Sequence, residues 1–183
     1  MRSVPLLLLA SLAAVPAAAQ TSIYAGQQTR DIKALSSQET ADLLAGRGMG
    51  LARAGELNSY PGPMHVLELR DRLDLTPAQV KTAQASFDRM QATAKPLGAE
   101  VVRLERALDE VFRAGIATAA MLAEATSAIS AVQGRLRAVH LAAHLEMQSA
   151  LSGEQIARYN RLRGYTGAGS EPAGGHGSRM HPG

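Results

Sequence analysis

The sequence predicts an all-α protein: a long antiparallel helical hairpin with short flanking helices and a disordered C-terminal tail. Three observations carry that expectation. Apolar residues step by alternating three and four through Val80, Ala83, Phe87, Met90, Ala94, Leu97, Val101, Leu104, Leu108 and Val111, and again through Leu122, Ala125, Ile129, Val132, Leu136, Val139 and Ala143. This is the seam spacing of two helices packed side by side. The stretch between the two runs is too short for anything but a reversal, so the second helix folds back on the first. Finally, compact helix-start signals stand before the first run and after the second.

The elements follow in order. Residues 1–19 read as a secretory signal peptide: Arg2 is the positive start, residues 6–9 are all leucine, and Ala17 and Ala19 fit a small-residue cleavage site before Gln20. Pro5 and Pro16 bracket roughly 10 apolar residues, about half of what a membrane span needs, so no membrane span is expected after cleavage. Residues 20–63 are an N-terminal extension. Its first part, 20–35, is polar and aperiodic and is expected to be a flexible lead-in. Ser36 or Ser37 can cap a helix running from Gln38 through Leu43, Leu44 and Leu51 towards Leu57, although Gly46, Gly48 and Gly50 would each cost about 1 kcal/mol inside it. A turn-rich break at 58–63 and a short helix over 64–73 come next.

The helical-hairpin domain is expected over 64–165. Thr76 is placed to cap its long helix, with Pro77 at the first helical position and Gln79 closing a capping box. That helix, 77 to about 113, would be about 55 Å long at 1.5 Å per residue. Pro96 removes one backbone bond within it and predicts a kink about one turn earlier. Gly115 and Thr118 make the reversal and cap the return helix. Ser152, Gly153, Glu154 and Gln155 repeat the capping logic for a short last helix reaching Leu162. Residues 166–183 are dominated by Gly, Ser, Pro and His and read as a disordered tail.

Composition removes several function classes. Without cysteine, stability must come from helix packing, although the leader points to a compartment where disulfides persist. Aromatic residues make up 3% and Trp is absent, so the core is aliphatic and thin. A second copy of the chain is therefore an expected partner. The formal net charge is +3, or +2 once Arg2 is removed, with acids interspersed among the bases. No nucleic-acid partner is expected. The glycines at 46, 48 and 50 lack the following Lys-Ser or Lys-Thr of a phosphate loop. No nucleophile, base and acid constellation is present, and an enzyme is not expected.

His140 and His144 are four residues apart within a predicted helix, which puts both rings on one face about one turn apart and allows them to share one metal ion. They flank the apolar stripe, so the site is expected at the seam edge. Further ligands must come from Met147, Glu146, His65 or a partner subunit. The alternative reading is that both histidines line a helix interface. The hairpin register also brings Met90 and Gln91 near them.

Leu75-Thr76-Pro77-Ala78-Gln79 and Leu151-Ser152-Gly153-Glu154-Gln155, framing a helical hairpin behind an export signal, resemble the LTxxQ proteins of the Spy/CpxP group of periplasmic chaperones. The stretch from His140 through Gln155, with Tyr159 and Arg163-Gly164-Tyr165, is similar to the related periplasmic heavy-metal sensor and metal-resistance proteins of the CnrX type. The resemblance spans residues 64–165 and implies a periplasmic, commonly dimeric protein. Two functions follow from it. One is a metal-responsive sensor that binds a divalent ion (Zn, Ni or Cu) through His140 and His144, with Met147 as a neighbour and His65 as the lone histidine of the earlier helices, and that acts on an envelope signalling partner. The other is a metal-independent, ATP-independent holdase for unfolded envelope proteins. Leu141 and Leu145, opposite the seam, are the apolar surface that a client or a second copy would cover.

Overall fold

The computed structural model describes residues 21–165; the signal-peptide and tail readings lie outside them. Among the described residues there are six α-helices and no strand: α1 (Ser37–Leu44), α2 (Arg53–Glu56), α3 (Pro63–Glu68), α4 (Pro77–Arg113), α5 (Ala119–Ala150) and α6 (Gly153–Leu162). No described helix is long and apolar enough to cross a membrane.

α4 and α5 form the long hairpin, and the seam spacing explains their burial. Ala83, Met90, Ala94 and Val101 on α4 are buried, as are Ile129, Val132, Leu136 and Ala143 on α5. The capping signals are all realised. Thr76, Thr118 and Ser152 accept bonds from the backbone N–H groups of Gln79, Met121 and Gln155. α4 stays helical through Pro96. Pro96 and Ala92 are both exposed, so water can reach the Ala92 carbonyl that the proline leaves unbonded.

The two motif glutamines do more than close their own caps. Gln79 Nε2 donates to Gln155 Oε1 at 2.8 Å and to the Ala150 carbonyl at 3.0 Å. Gln155 Nε2 donates back to Gln79 Oε1 at 3.1 Å and to the Leu73 carbonyl at 3.2 Å. One reciprocal amide pair thus ties the start of α4 to the start of α6 and satisfies orphan carbonyls at the end of α5 and before α4.

The N-terminal extension differs from its expectation in two ways. Ile32, placed in a flexible lead-in by its polar neighbours, is 2% exposed and belongs to an apolar cluster with Leu43, Ala94, Val101, Val102, Val132 and Leu136. The large apolar residues of that stretch, Ile23, Tyr24, Ile32 and Leu35, form no periodic run that would reveal it. The second difference is that the expected helix towards Leu57 ends at Leu44. Ser36 caps it with a complete capping box, but Gly46 takes φ +66 while its N–H bonds Leu43 O and the Arg47 N–H bonds Asp42 O. This is the left-handed closure that terminates helices. The chain then crosses the hairpin in turns, making only α2 before Pro63 opens α3, which is shorter than the 64–73 helix expected.

α1 reaches α4 at Gly98. A Cβ there would sit 2.0 Å from the Leu43 carbonyl oxygen, so the backbones meet where only glycine fits. α2 lies over α5, with a Cβ at Gly55 meeting Leu141 Cδ2 at 3.6 Å. Leu141 is therefore half-covered by the chain's own extension; of the two leucines expected on an open face, only Leu145 stays there, 58% exposed. A second cluster, built on Val66, Leu73, Ala83, Met147, Leu151 and Tyr159, packs α3 and α6 onto the open end of the hairpin.

Candidate functional site

Between the two clusters lies a pocket of about 530 Å³. α5 supplies His140 and His144, α4 supplies Phe87, Met90 and Gln91, and the extension together with the start of α3 supplies the opposite wall from Gly46 to His65. Arg163 and Tyr165, just past α6, complete the lining. At Gly46 the missing side chain permits a close approach to α4, since a Cβ there would lie 3.1 Å from Lys95 Cγ and 3.2 Å from Gln91 Oε1, whereas Gly48 has room for one. Gly46 is held by Gln91, whose Nε2 donates to its carbonyl at 3.0 Å, and a Cβ at Gly48 would meet His140 Nδ1 at 3.6 Å.

His140 is 3% exposed, and its Nε2 has no hydrogen-bond partner. Burial lowers its pKa from the ordinary histidine value, and the neighbouring His144 adds to that lowering. His144 Nδ1 lies 2.7 Å from the Tyr60 carbonyl. A carbonyl only accepts, so Nδ1 carries a proton, and in the neutral tautomer of the ring Nε2 is the atom with the lone pair. A Cβ at Gly62 would stand 3.0 Å from His144 Cε1 and Nε2, so the glycine leaves room beside that lone pair.

Behind His144 sits Glu56, to which no feature of the sequence points. Its Oε1 accepts from the Tyr159 hydroxyl at 2.6 Å and the Tyr165 hydroxyl at 2.9 Å, and it lies 3.3 Å from Arg163 Nε. Its Oε2 has no hydrogen bond and stands 3.6 Å from His144 Nδ1. Burial, reinforced by the Glu56 carboxylate, pushes the Tyr159 phenol far above its usual range and raises that of Tyr165, so both hydroxyls stay protonated donors. The Tyr159 hydroxyl also accepts from the Gly62 N–H at 3.4 Å, joining this network to the glycine beside His144.

The other ligands expected from the sequence are dispersed. His65 lines the pocket, but its Nδ1 is engaged with Glu68 Oε2 at 2.8 Å. Met147 is fully buried in the second apolar cluster and does not line the pocket. Glu146 points outward and pairs with Arg89 at 2.6 Å. Among the described residues, no three His, Asp or Glu side chains converge as a metal-binding group. Of the expected ligands, His140, His144 and His65 line the pocket, and Met147 and Glu146 do not.

Burying His140 uncharged makes stability depend on pH. Above the ordinary value of 6.5 both folded and unfolded chains hold it neutral, and the full contribution is present. As the pH falls below that value the unfolded chain takes the proton first, so stability is lost as the pH approaches the lowered folded-state pKa. The melting temperature is expected to fall over this range, and His140→Leu to flatten the fall. A profile that the substitution leaves unchanged would assign the slope to other groups.

Comparison with protein-family models, with curated proteins and with solved structures gives no match.

Proposed function

We propose that this chain is a non-catalytic, exported metal-binding protein of the envelope whose site is the pocket between α4, α5 and the N-terminal extension. The observation that supports this reading most is the pairing of two half-free imidazoles. His140 Nε2 is buried without a partner, and the bond from His144 Nδ1 to the Tyr60 carbonyl makes Nε2 the lone-pair nitrogen of that ring's neutral tautomer. A histidine whose other nitrogen is fixed by a backbone carbonyl is oriented as metal-ligating histidines are. The resemblance of the two LTxxQ-like motifs to periplasmic sensor and chaperone proteins points the same way, and so does the leader-like start. Because the extension forms one wall of the pocket, an ion bound to α5 would bias how that wall sits, which is the change an envelope signalling partner would read.

Calorimetric titration with Zn²⁺, Ni²⁺ and Cu²⁺ tests the reading. Replacing His140 and His144 together with Ala is expected to abolish the tight component without loss of helicity. Gly62→Ala should weaken binding while preserving the fold, because its backbone at φ −87 and ψ 140 suits any residue and only the space beside His144 Nε2 is lost. Equal affinity with and without the two histidines would remove the proposal.

A second reading, the metal-independent holdase, is favoured by the large apolar side chains left in solvent, among them Leu57, Met64, Leu145, Phe112 and Ile116. Clients or a second copy would cover them. On this reading the protein slows aggregation of an unfolded client without ATP, and the histidine variant does so equally well. No suppression at several-fold molar excess would remove it.

A further inference from the structure

The pocket wall carries sulfur as well as nitrogen. Three of the chain's seven methionines, Met49, Met64 and Met90, line it together with His65, His140 and His144. Met90 is the buried one, on α4. Met49 and Met64 are 43% and 46% exposed at the mouth, where large apolar side chains gain little by burial. Met49 also adopts φ +45, a left-handed conformation that residues with a Cβ rarely take and that recurs at ligand clamps.

The charge of the pocket favours a monovalent ion over a divalent one. Its single carboxylate, Glu56, already faces two phenols and Arg163; Arg53 also reaches the lining, and Arg47 does so paired with Asp42. A doubly charged ion there would meet uncompensated positive charge. Thioether and imidazole are the neutral donors that suit Cu(I), whereas Zn²⁺ sites ordinarily gather three or four N, O or S ligands.

We propose that this pocket binds a soft monovalent cation, Cu(I), held by the imidazoles of His140 and His144 and the thioether of Met90, with Met49 and Met64 as capturing ligands at its mouth. The inference rests on the metal-binding reading above and sharpens it from a divalent ion to a soft one. No electron transfer is involved: the ion enters and leaves as Cu(I).

The test titrates the full chain with Ag(I), a redox-inert soft probe, with Cu(I) held under ascorbate against a competing chelator, and with Zn²⁺. Three proteins are compared: the natural chain, the triple variant Met49→Leu, Met64→Leu and Met90→Leu, and the double variant His140→Ala and His144→Ala. Leucine conserves volume at Met90, and thermal melting verifies that the triple variant is folded. His176, Met180 and His181 are common to all three, so their background cancels. The expected result is that Ag(I) and Cu(I) bind the natural chain at least about tenfold more tightly than Zn²⁺, and that the methionine variant loses at least about tenfold for both soft ions with Zn²⁺ unchanged. Cu(I) affinity that survives the methionine changes, or Zn²⁺ binding tighter than Cu(I), overturns the soft-ion proposal but leaves the two-histidine site standing. Failure of all three ions to distinguish the histidine variant from the natural chain overturns both.

Discussion

Gly98→Ala is expected to lower the stability of the folded chain by about 2–4 kcal/mol, a large part of the 5–15 kcal/mol typical of a domain. Helix propensity alone predicts the opposite sign, since alanine inside a helix gains about 1 kcal/mol over glycine. The contact decides. The added Cβ would lie 2.0 Å from the Leu43 carbonyl oxygen and 2.7 Å from its carbon. These are backbone atoms of a helix end that is already bonded to Gly46, so no side chain can swing away to relieve the overlap. α1 must lift off α4, and Ile32 and Leu43 lose their packing on Ala94 and Val101. Gly134 is the matched control: it is exposed within α5, a Cβ there would meet nothing, and Gly134→Ala should stabilise by about 0.5–1 kcal/mol. Chemical denaturation of both variants checks the pair, and a Gly98→Ala protein as stable as the parent would mean that α1 does not dock at this point.

The same contact marks where sequence reading stops. The hairpin is legible because its information is local and periodic: seam residues repeat along α4 and α5, and Thr76, Thr118 and Ser152 cap within three residues of themselves. The glycine at 98 carries no such signal, since what it accommodates lies far away in the chain. The candidate site divides along the same line. His140 and His144 are legible from their four-residue spacing, and the hairpin register brings Met90 and Gln91 to them. A helical wheel puts the two histidines at the seam edge, whereas the extension covers that edge and turns it into a pocket wall. Met147 is a neighbour on the same helix, yet it falls on the stripe that α3 and α6 bury. Glu56 has no signal at all, because its donors Tyr159 and Tyr165 are 103 and 109 residues away.

Glu56→Ala is the second substitution expected to have a large effect, on the order of 2–4 kcal/mol, because it strands buried donors rather than removing an isolated surface charge. Tyr159 is 0% exposed, so its hydroxyl cannot turn to water when the carboxylate is gone, and Tyr165 and Arg163 lose the same partner. Glu56→Gln keeps an acceptor oxygen in place and should recover part of the loss. The coupling is separable by a double-mutant cycle with Tyr159→Phe, which removes the donor while keeping the ring packed. If the hydroxyl and carboxylate act on one another as the 2.6 Å bond implies, the double variant should be more stable than the sum of the single effects predicts by at least about 1 kcal/mol. Additive effects would place the loss in packing alone. The cycle also bears on the pocket, since the Tyr159 hydroxyl that bonds Glu56 accepts from Gly62, the glycine beside His144. Loosening the carboxylate should therefore weaken the ion binding proposed for the two histidines without altering either of them, and a Glu56→Gln protein with the parent's metal affinity would uncouple the network from the site.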